Sequence, residues 1–219
     1  MGTPKAGYFQ KSGKKVTGYS AVGSRFKESG GLIHWANQEG LAGRNIKETK
    51  EKACDSGTLG HDLIEADIYG AVVDLHGIAE DVIGAAKHAF QGFLAWKEIT
   101  KLEIVETEKP LVSEVYPFGG TLDAIGKIGN KLVLLDWKTS GGIYVEYLLQ
   151  GAAYQILWNE HYPDRPIHEF HLLRISKPTD AAGVVAFSHH FWSDLSLART
   201  QFLRLLEAYY DDKTLKSLV

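Results

Sequence analysis

The chain has 219 residues, of which 44% are hydrophobic and 23% are charged, and its formal net charge is −3 at pH 7. This length and composition are those of a single globular domain with a sizeable hydrophobic core. The slight negative charge argues against a protein that coats nucleic acid by bulk electrostatics, since such proteins are usually strongly basic.

Membrane insertion, secretion and cysteine-based sites are not indicated. No apolar run reaches the length of a membrane span, and the first residues lack the apolar centre of a secretory signal. The single cysteine, Cys54, can form neither an intramolecular disulfide nor a four-cysteine zinc or iron–sulfur site. We therefore expect a cytoplasmic protein without an iron–sulfur cluster.

The N-terminal segment differs in composition from the rest of the chain. Residues 1–18 are rich in Gly, Ser and Lys, and no acidic residue precedes Glu28. This composition predicts a flexible basic leader, which could also follow the phosphates of a nucleic acid. Residues 19–219 contain no internal repeat and no break in composition, and they predict one domain.

Helical and strand patterns share the remainder of the chain. Thr58 and Ser193 are predicted as helix N-caps, and a turn containing Pro178 and Gly183 separates the last two strands. The mixture predicts an α/β fold in which helices flank a central mixed, largely antiparallel sheet. The predicted helices are 19–39, with a break at Gly30-Gly31, 44–53, 59–69, 78–99, 144–161 and 195–210. The predicted strands are 102–108, 111–116, 121–128, 131–139, 167–175 and 184–191.

The two strands on either side of Gly129-Asn130 form the most informative stretch. This dipeptide favours a two-residue hairpin turn. With that turn, Asp123 lies directly opposite Asp136, with the Cβ atoms roughly 4.5–5.5 Å apart. Lys138 projects from the same face as Asp136 because side chains alternate along a strand. The sequence therefore predicts two carboxylates and an ammonium on one face of the sheet.

Two interpretations of this cluster remain open. Magnesium and similar hard cations bind a few carboxylates together with water and substrate phosphates, so the acids can form a metal site. Alternatively, Lys138 forms a structural salt bridge that relieves the repulsion between the acids. His61 is a candidate third ligand at the start of the helix predicted at 59–69, whose N-terminus would also favour phosphate. A helix-surface pair with Glu65, one turn further on, is the alternative for His61.

Four motifs in a fixed order, GTLGH, GGTLD, LLDWKTS and QGAAY, resemble the RecB-like branch of the PD-(D/E)XK nucleases. The resemblance covers roughly residues 61–154. It implies a restriction-endonuclease-like core, a single nuclease domain over residues 19–219, and Mg²⁺ or Mn²⁺ as the cofactor. Several relatives carry an iron–sulfur cluster on four cysteines, which this chain cannot form.

The resemblance implies specific catalytic roles. Asp123 and Asp136 match the family's metal-binding carboxylates, and Lys138 matches its catalytic lysine. As a cation beside two carboxylates, this lysine is expected to orient the attacking water rather than to remove a proton. His61 and the backbone carbonyl of Trp137 are the further metal ligands that the resemblance implies.

Four other residues are candidates for substrate contacts or for accessory roles. Gln150 and Tyr154 match the family's Q-x-x-x-Y helix, in which a spacing of one turn directs both side chains towards the substrate. Core packing is the alternative for Tyr154. Glu65 is an accessory candidate that would orient His61 or bind water on a second metal ion, and Glu114 is a weaker accessory candidate.

The function implied by the resemblance is a metal-dependent DNA exonuclease acting on single-stranded ends in phage or bacterial recombination or repair. A single-strand-binding or recombination protein is the candidate protein partner. The alternatives are a structure-specific, flap-type endonuclease and a nuclease-like module that binds DNA without hydrolysis. The last alternative would be expected to lack a member of the D…D-x-K motif, and here Asp123, Asp136 and Lys138 are all present.

Overall fold

The computed structural model describes residues 4–27, 29–175 and 186–219. Within these residues, six helices flank a sheet of seven strands, so the predicted α/β class with a central mixed sheet is confirmed. The helices are α1 Tyr19–Arg25, α2 Gly30–Leu41, α3 Ile46–Tyr69, α4 Glu80–Thr100, α5 Val145–His161 and α6 Ser196–Lys216. The strands are β1 Tyr8–Phe9, β2 Lys15–Gly18, β3 Glu103–Val112, β4 Phe118–Ile128, β5 Lys131–Thr139, β6 Glu169–Ile175 and β7 Phe187–Trp192.

The connections between the long strands determine whether neighbouring strands pair antiparallel or parallel. β3, β4 and β5 form an antiparallel meander, as the sequence predicts. β5 is followed by α5 and then by β6, which lies parallel to β5, so this part of the sheet is a β–α–β crossover. β7 returns antiparallel to β6.

The predicted register of the central hairpin is confirmed. Ile128 pairs with Lys131, and Ala124 pairs with Leu135. Gly129 has a φ of +61°, a conformation that glycine adopts without strain. The pairing ends at Ala124 and Leu135, so Asp123 and Asp136 come one step beyond the last pair of this register.

A gap in strand pairing lies beside Asp123. Gly119 pairs with Val112 of β3 and also with Gly18 of β2, so β2 and β3 lie on opposite edges of β4. β2 therefore shares its edge of β4 with β5, whose pairing begins only at Ala124. Within the described part of the chain, residues 120–123 have no strand partner on this edge.

The helices form a layer on each face of the sheet. α3 and α4 cover one face, where Phe93 and Trp96 pack against Leu135 and Trp137. α1, α5 and α6 cover the other face through a larger apolar cluster that includes Trp158 and strand residues of β4, β5 and β6. Among the described residues, no helix combines the length and the apolar content needed to cross a membrane.

The prediction of a flexible leader over residues 1–18 is wrong for most of this segment. β1 and β2 pair with each other, and β2 joins the central sheet parallel to β4. Tyr8 and Val16 are buried, 5% and 6% exposed. Two apolar side chains at suitable positions are thus enough to attach a segment whose overall composition is that of a flexible leader.

The helix predicted to begin after Thr58 is part of a longer one. α3 runs without a break through Ser56, Gly57 and Thr58, and its N-cap is Asn45, whose side chain accepts hydrogen bonds from two backbone amides of the first turn. Ser56 bonds back to the carbonyl of Ala53 inside the helix instead of ending it. His61 is therefore in the middle of a helix, and the expected phosphate-binding N-terminus beside it is wrong.

Other differences concern the ends of elements. The strands predicted at 102–108 and 111–116 are one strand, β3, which accommodates Pro110 because β3 pairs only with β4 and is an edge strand. Ser193 is not a cap, since α6 begins at Ser196, whose amide donates to the Asp194 carboxylate. The turn predicted around Pro178 and Gly183 lies outside the described residues.

Candidate metal centre

A cavity of about 840 Å³ lies against the unpaired stretch of β4. The residues that line it include Tyr8 of β1, Tyr19 of α1, and Cys54 and His61 of α3. Asp123 also lines the cavity. The missing strand partner of residues 120–123 thus leaves space beside the residues that the sequence singles out.

Lys138 lies between the two predicted acids. Its Nζ is 2.7 Å from Oδ1 of Asp136 and 3.7 Å from Oδ2 of Asp123. Asp136 is 1% exposed, so its charge is almost completely removed from water. The predicted grouping of Asp123, Asp136 and Lys138 on one face is present.

The buried acids and the lysine change one another's pKa values. Burial raises the pKa of Asp136 well above its usual range, and the nearby charge of Asp123 raises it further. Burial opposes the ammonium form of Lys138, but the charges of Asp136 and Asp123 outweigh it, so the pKa of Lys138 is raised. Lys138 is therefore a cation at neutral pH and cannot act there as a general base.

A second set of ligand atoms also meets at Asp123. One nitrogen of His61 and one carboxylate oxygen each of Glu108 and Asp123 lie within 4.8 Å of one another. Burial, together with the charge of Lys138, lowers the pKa of His61 to about 4. His61 is thus neutral at physiological pH, which is the form that binds metal ions.

Glu108 was not among the residues predicted for this site. β3 pairs Thr107 with Ala124 and Lys109 with Leu122, so Glu108 lies beside Asp123 on the strand next to it. Three acids, Glu108, Asp123 and Asp136, therefore form a row across three adjacent strands. Burial raises the pKa of Glu108 to about 7. Its φ is +47°, which is rare for a residue with a side chain and is typical of strained functional positions.

The chemistry of this set fits a divalent cation. Oδ2 of Asp123 and Oδ2 of Asp136 are buried, and neither takes part in a hydrogen bond with any described residue, although the Lys138 ammonium forms an ion pair with Oδ2 of Asp123 at 3.7 Å. Buried carboxylate oxygens without partners are costly unless a cation or proton compensates them. Carboxylates with one neutral imidazole are suitable ligands for Mn²⁺ and Mg²⁺. The ring of His61 also makes a hydrogen bond with the backbone of Trp137, so this backbone is close to the site.

Gln150 and Tyr154 lie on α5, as the spacing predicts. Nε2 of Gln150 donates to the hydroxyl of Tyr154 at 3.1 Å. Tyr154 lines the cavity, whereas Gln150 is not among the cavity-lining residues. A Cβ atom at Gly120 would be 2.6 Å from Cε1 of Tyr154, so this position of β4 has to be glycine for the tyrosine ring to lie there.

The two accessory candidates lie in different places. Glu65, one turn beyond His61 on α3, is close enough to Glu108 to raise its pKa. Glu114 is outside the cavity, because its carboxylate accepts the backbone amide of Lys11 and holds the turn between β1 and β2. The accessory role expected for Glu114 is therefore wrong. The acid of this part of the chain that does lie beside Asp123 is Glu108, six residues earlier.

The raised pKa of Asp136 gives a prediction for stability. Relative to the parent, the metal-free Asp136→Asn variant is expected to gain stability from pH 5 to pH 8, although it also loses the ion pair with Lys138. At a pH between the pKa of Asp136 in the unfolded chain and its higher pKa in the folded protein, the native state holds a proton that the unfolded chain has released. The free energy of unfolding therefore falls as the pH rises through this range. The stability of the variant relative to the parent should therefore be greater at pH 8 than at pH 5 when urea denaturation is followed in EDTA.

The matched control is Asp212→Asn. The pKa of Asp212 is lowered by its hydrogen bonds to Arg25 and Lys216, so its pH dependence has the opposite sign. Asp212→Asn should not stabilise the protein at either pH. An Asp136→Asn variant whose stability relative to the parent is no greater at pH 8 than at pH 5 would contradict the raised pKa of Asp136.

Comparisons with known proteins give likenesses of fold. No protein-family model matches the chain, and no curated protein is significantly similar in sequence. A protein from Eubacterium rectale, provisionally named an exonuclease, is 12% identical with a TM-score of 0.47, over 70% of this chain and 64% of its own. SSO0001 is 20% identical with a TM-score of 0.33, over 59% and 58% of the two chains. An alkaline exonuclease from Laribacter hongkongensis is 14% identical with a TM-score of 0.37, over 73% and 84%.

The chain thus spans less than two thirds of the length of the first two of these structures. Because the TM-scores are all below 0.5, the likenesses carry no conclusion about activity. The residues that surround the cavity are therefore the basis for the proposed function.

Proposed function

We propose that this protein is a metal-dependent deoxyribonuclease that hydrolyses phosphodiester bonds as an exonuclease at single-stranded ends. The observation that carries the proposal is the meeting at Asp123 of two sets of groups. Asp136 and Lys138 of β5, His61 of α3 and Glu108 of β3 all reach Asp123, beside a cavity open to substrate.

The charge of the cavity argues for a cation. Asp62, Glu108 and Asp123 line it together with a single lysine, Lys138. Without a bound cation, these acids would repel a phosphodiester. Asp123, Asp136, His61 and Glu108 are the residues that would hold Mg²⁺ or Mn²⁺, with the Trp137 carbonyl as a further candidate ligand. When bound, the ion polarises a phosphate oxygen and lowers the pKa of water.

The chain's own residues supply positioning and charge. Lys138, held as a cation beside Asp136 and Asp123, donates hydrogen bonds that orient a water molecule and stabilise charge on the phosphate. Tyr154, whose oxygen accepts the amide of Gln150, keeps its proton because burial raises its pKa. Its hydroxyl is therefore available to donate to a phosphate oxygen of the substrate.

The size and the aromatic lining of the cavity support a single strand as substrate. Its volume of about 840 Å³ is that of a site for a small ligand and has room for a few nucleotides. Four tyrosines, Tyr8, Tyr19, Tyr147 and Tyr154, supply aromatic surface to it. Aromatic rings stack on unpaired bases without sequence preference.

The biological setting rests on the sequence resemblance alone. By that resemblance, the enzyme would act in phage or bacterial recombination or repair, in the cytoplasm. A single-strand-binding or recombination protein would be its partner.

The test uses end-labelled linear single-stranded DNA, linear duplex DNA and circular single-stranded DNA, each with Mn²⁺ or with excess EDTA. We expect the linear single strand to be shortened with Mn²⁺, the circle to remain intact, and no cleavage in EDTA. Cleavage of the circle would show the flap-type endonuclease alternative instead. Cleavage in excess EDTA would contradict metal dependence, and binding without cleavage under every condition would favour the non-catalytic module.

A further inference from the structure

Tyr8 lines the same cavity as the candidate metal centre, although it belongs to a segment whose composition is that of a leader. It is 5% exposed and lines the cavity. Its hydroxyl is 3.0 Å from Oγ1 of Thr121, two residues before Asp123 on β4. The side chain thus contacts the stretch of β4 that lacks a strand partner on this edge.

The ring of Tyr8 packs directly on the backbone of β4. A Cβ atom at Gly119 would lie 2.6 Å from Cγ of Tyr8, and a Cβ atom at Gly18 would lie 3.0 Å from its Cε2. Both glycines therefore leave room that the ring fills. The first glycine of the GGTLD motif is explained by this contact, and the second by Tyr154.

The hairpin that carries Tyr8 is fixed to the core at several points. Gln10 donates to the carbonyl of Ser113 at 2.9 Å. The amide of Thr17 donates to the hydroxyl of Tyr210 at 3.2 Å, and that hydroxyl donates to the carbonyl of Pro117 at 2.7 Å. Strand pairing and these hydrogen bonds attach the hairpin of β1 and β2 to the core. The hairpin can therefore fix the position of the part of β4 that Tyr8 contacts.

We propose that Tyr8 is a positioning residue for Asp123. Its ring and hydroxyl take the place of the missing strand partner beside residues 120–123 and hold the Asp123 carboxylate in the orientation that binds the metal ion. The inference rests on the proposed function, because it assumes a cation at Asp123. It makes the N-terminal hairpin a part of the active centre.

The test compares Tyr8→Ala, Tyr8→Phe and Thr121→Val with the parent protein. Mn²⁺ affinity is measured by isothermal titration calorimetry, and kcat and KM are measured on single-stranded DNA. Tyr8→Ala should weaken Mn²⁺ binding about tenfold, as is usual when a group that orients a ligand is removed. Tyr8→Phe keeps the ring but loses the hydroxyl, so it should bind Mn²⁺ about threefold more weakly than the parent, a smaller loss than that of Tyr8→Ala.

A double variant and a control separate positioning from general stability. Tyr8→Phe with Thr121→Val should bind Mn²⁺ no more weakly than either single variant, because both changes remove the same hydrogen bond. Tyr162→Phe changes a tyrosine that packs on Trp158, is not among the cavity-lining residues, and should leave Mn²⁺ affinity unchanged.

A folded Tyr8→Ala variant with parental Mn²⁺ affinity and kcat would overturn the inference, even if its melting temperature fell. If Tyr8→Ala does not fold, the Mn²⁺ affinities of Tyr8→Phe and Thr121→Val test the inference instead. A shared, non-additive loss of Mn²⁺ affinity supports the inference, and unchanged affinity overturns it. Failure of the parent protein itself to bind Mn²⁺ or to cleave DNA would instead reject the proposed function.

Discussion

Replacing Asp123 with asparagine is expected to abolish DNA cleavage, with a loss in kcat/KM on the order of 10³-fold or more. The reason is its central position. The carboxylate of Asp123 belongs both to the group with His61 and Glu108 and to the group with Asp136 and Lys138. Asparagine keeps the shape of the side chain but loses the charge that holds a cation. Calorimetric titration with Mn²⁺ should show a matching loss of metal binding.

The matched control for Asp123→Asn is Glu114→Gln. Glu114 is an acid that the sequence also suggests, but its carboxylate caps the turn of the N-terminal hairpin outside the cavity. Glu114→Gln should therefore retain both Mn²⁺ binding and cleavage. An Asp123→Asn variant that cleaves at the parental rate would contradict the site, whatever the behaviour of the control.

Lys138→Ala is expected to lower kcat by about 10²- to 10³-fold while DNA binding in the presence of metal survives. Lys138 touches both acids, but it is a cation and not a metal ligand, so its loss should leave Mn²⁺ affinity within about tenfold of the parent. Single-turnover cleavage measures the chemical step, and filter binding measures DNA affinity. The separation of these two effects distinguishes a catalytic lysine from the structural salt bridge that is the alternative.

The matched control for Lys138→Ala is Lys127→Ala. Lys127 lies on β4 of the same hairpin, but its side chain is exposed. Its removal changes the net charge by the same amount as the loss of Lys138. Equal losses of kcat in the two variants would show that the effect is one of overall charge and would reject the assigned role.

The central hairpin could be predicted because its information is local. Gly129-Asn130 fixes a two-residue turn, and the turn fixes the register that places Asp123 and Asp136 one step beyond its last pair. The grouping of these acids with Lys138 follows from the alternation of side chains along β5. Long apolar patterns likewise predicted α4 and α5 to within about two residues of their ends.

Glu108 could not be predicted in the same way. β3 and β4 are joined by a loop rather than a tight turn, and their pairing shifts between Ile104 and Glu106. One shifted residue reverses the face on which every later side chain lies, so the pattern alone could not place Glu108 beside Asp123. Its left-handed φ is a further local departure from regular strand geometry.

The errors at Thr58 and in the N-terminal segment have a common cause. In both places, residue types that usually favour caps or disorder are overridden by tertiary contacts. A Cβ atom at Gly57 would lie at an ordinary contact distance of 3.8 Å from Oγ1 of Thr139, so α3 passes close to the end of β5. Tyr8 attaches the N-terminal hairpin through its contact with Gly119, which is far away in the sequence.

The most direct test of the account is the position of a bound ion. Crystals of the parent protein soaked in Mn²⁺ should give an anomalous difference peak within about 2.0–2.4 Å of the Asp123 carboxylate and close to His61 and Glu108. A peak at a surface carboxylate only, or no peak at millimolar Mn²⁺, would contradict the claim that these residues form a metal centre.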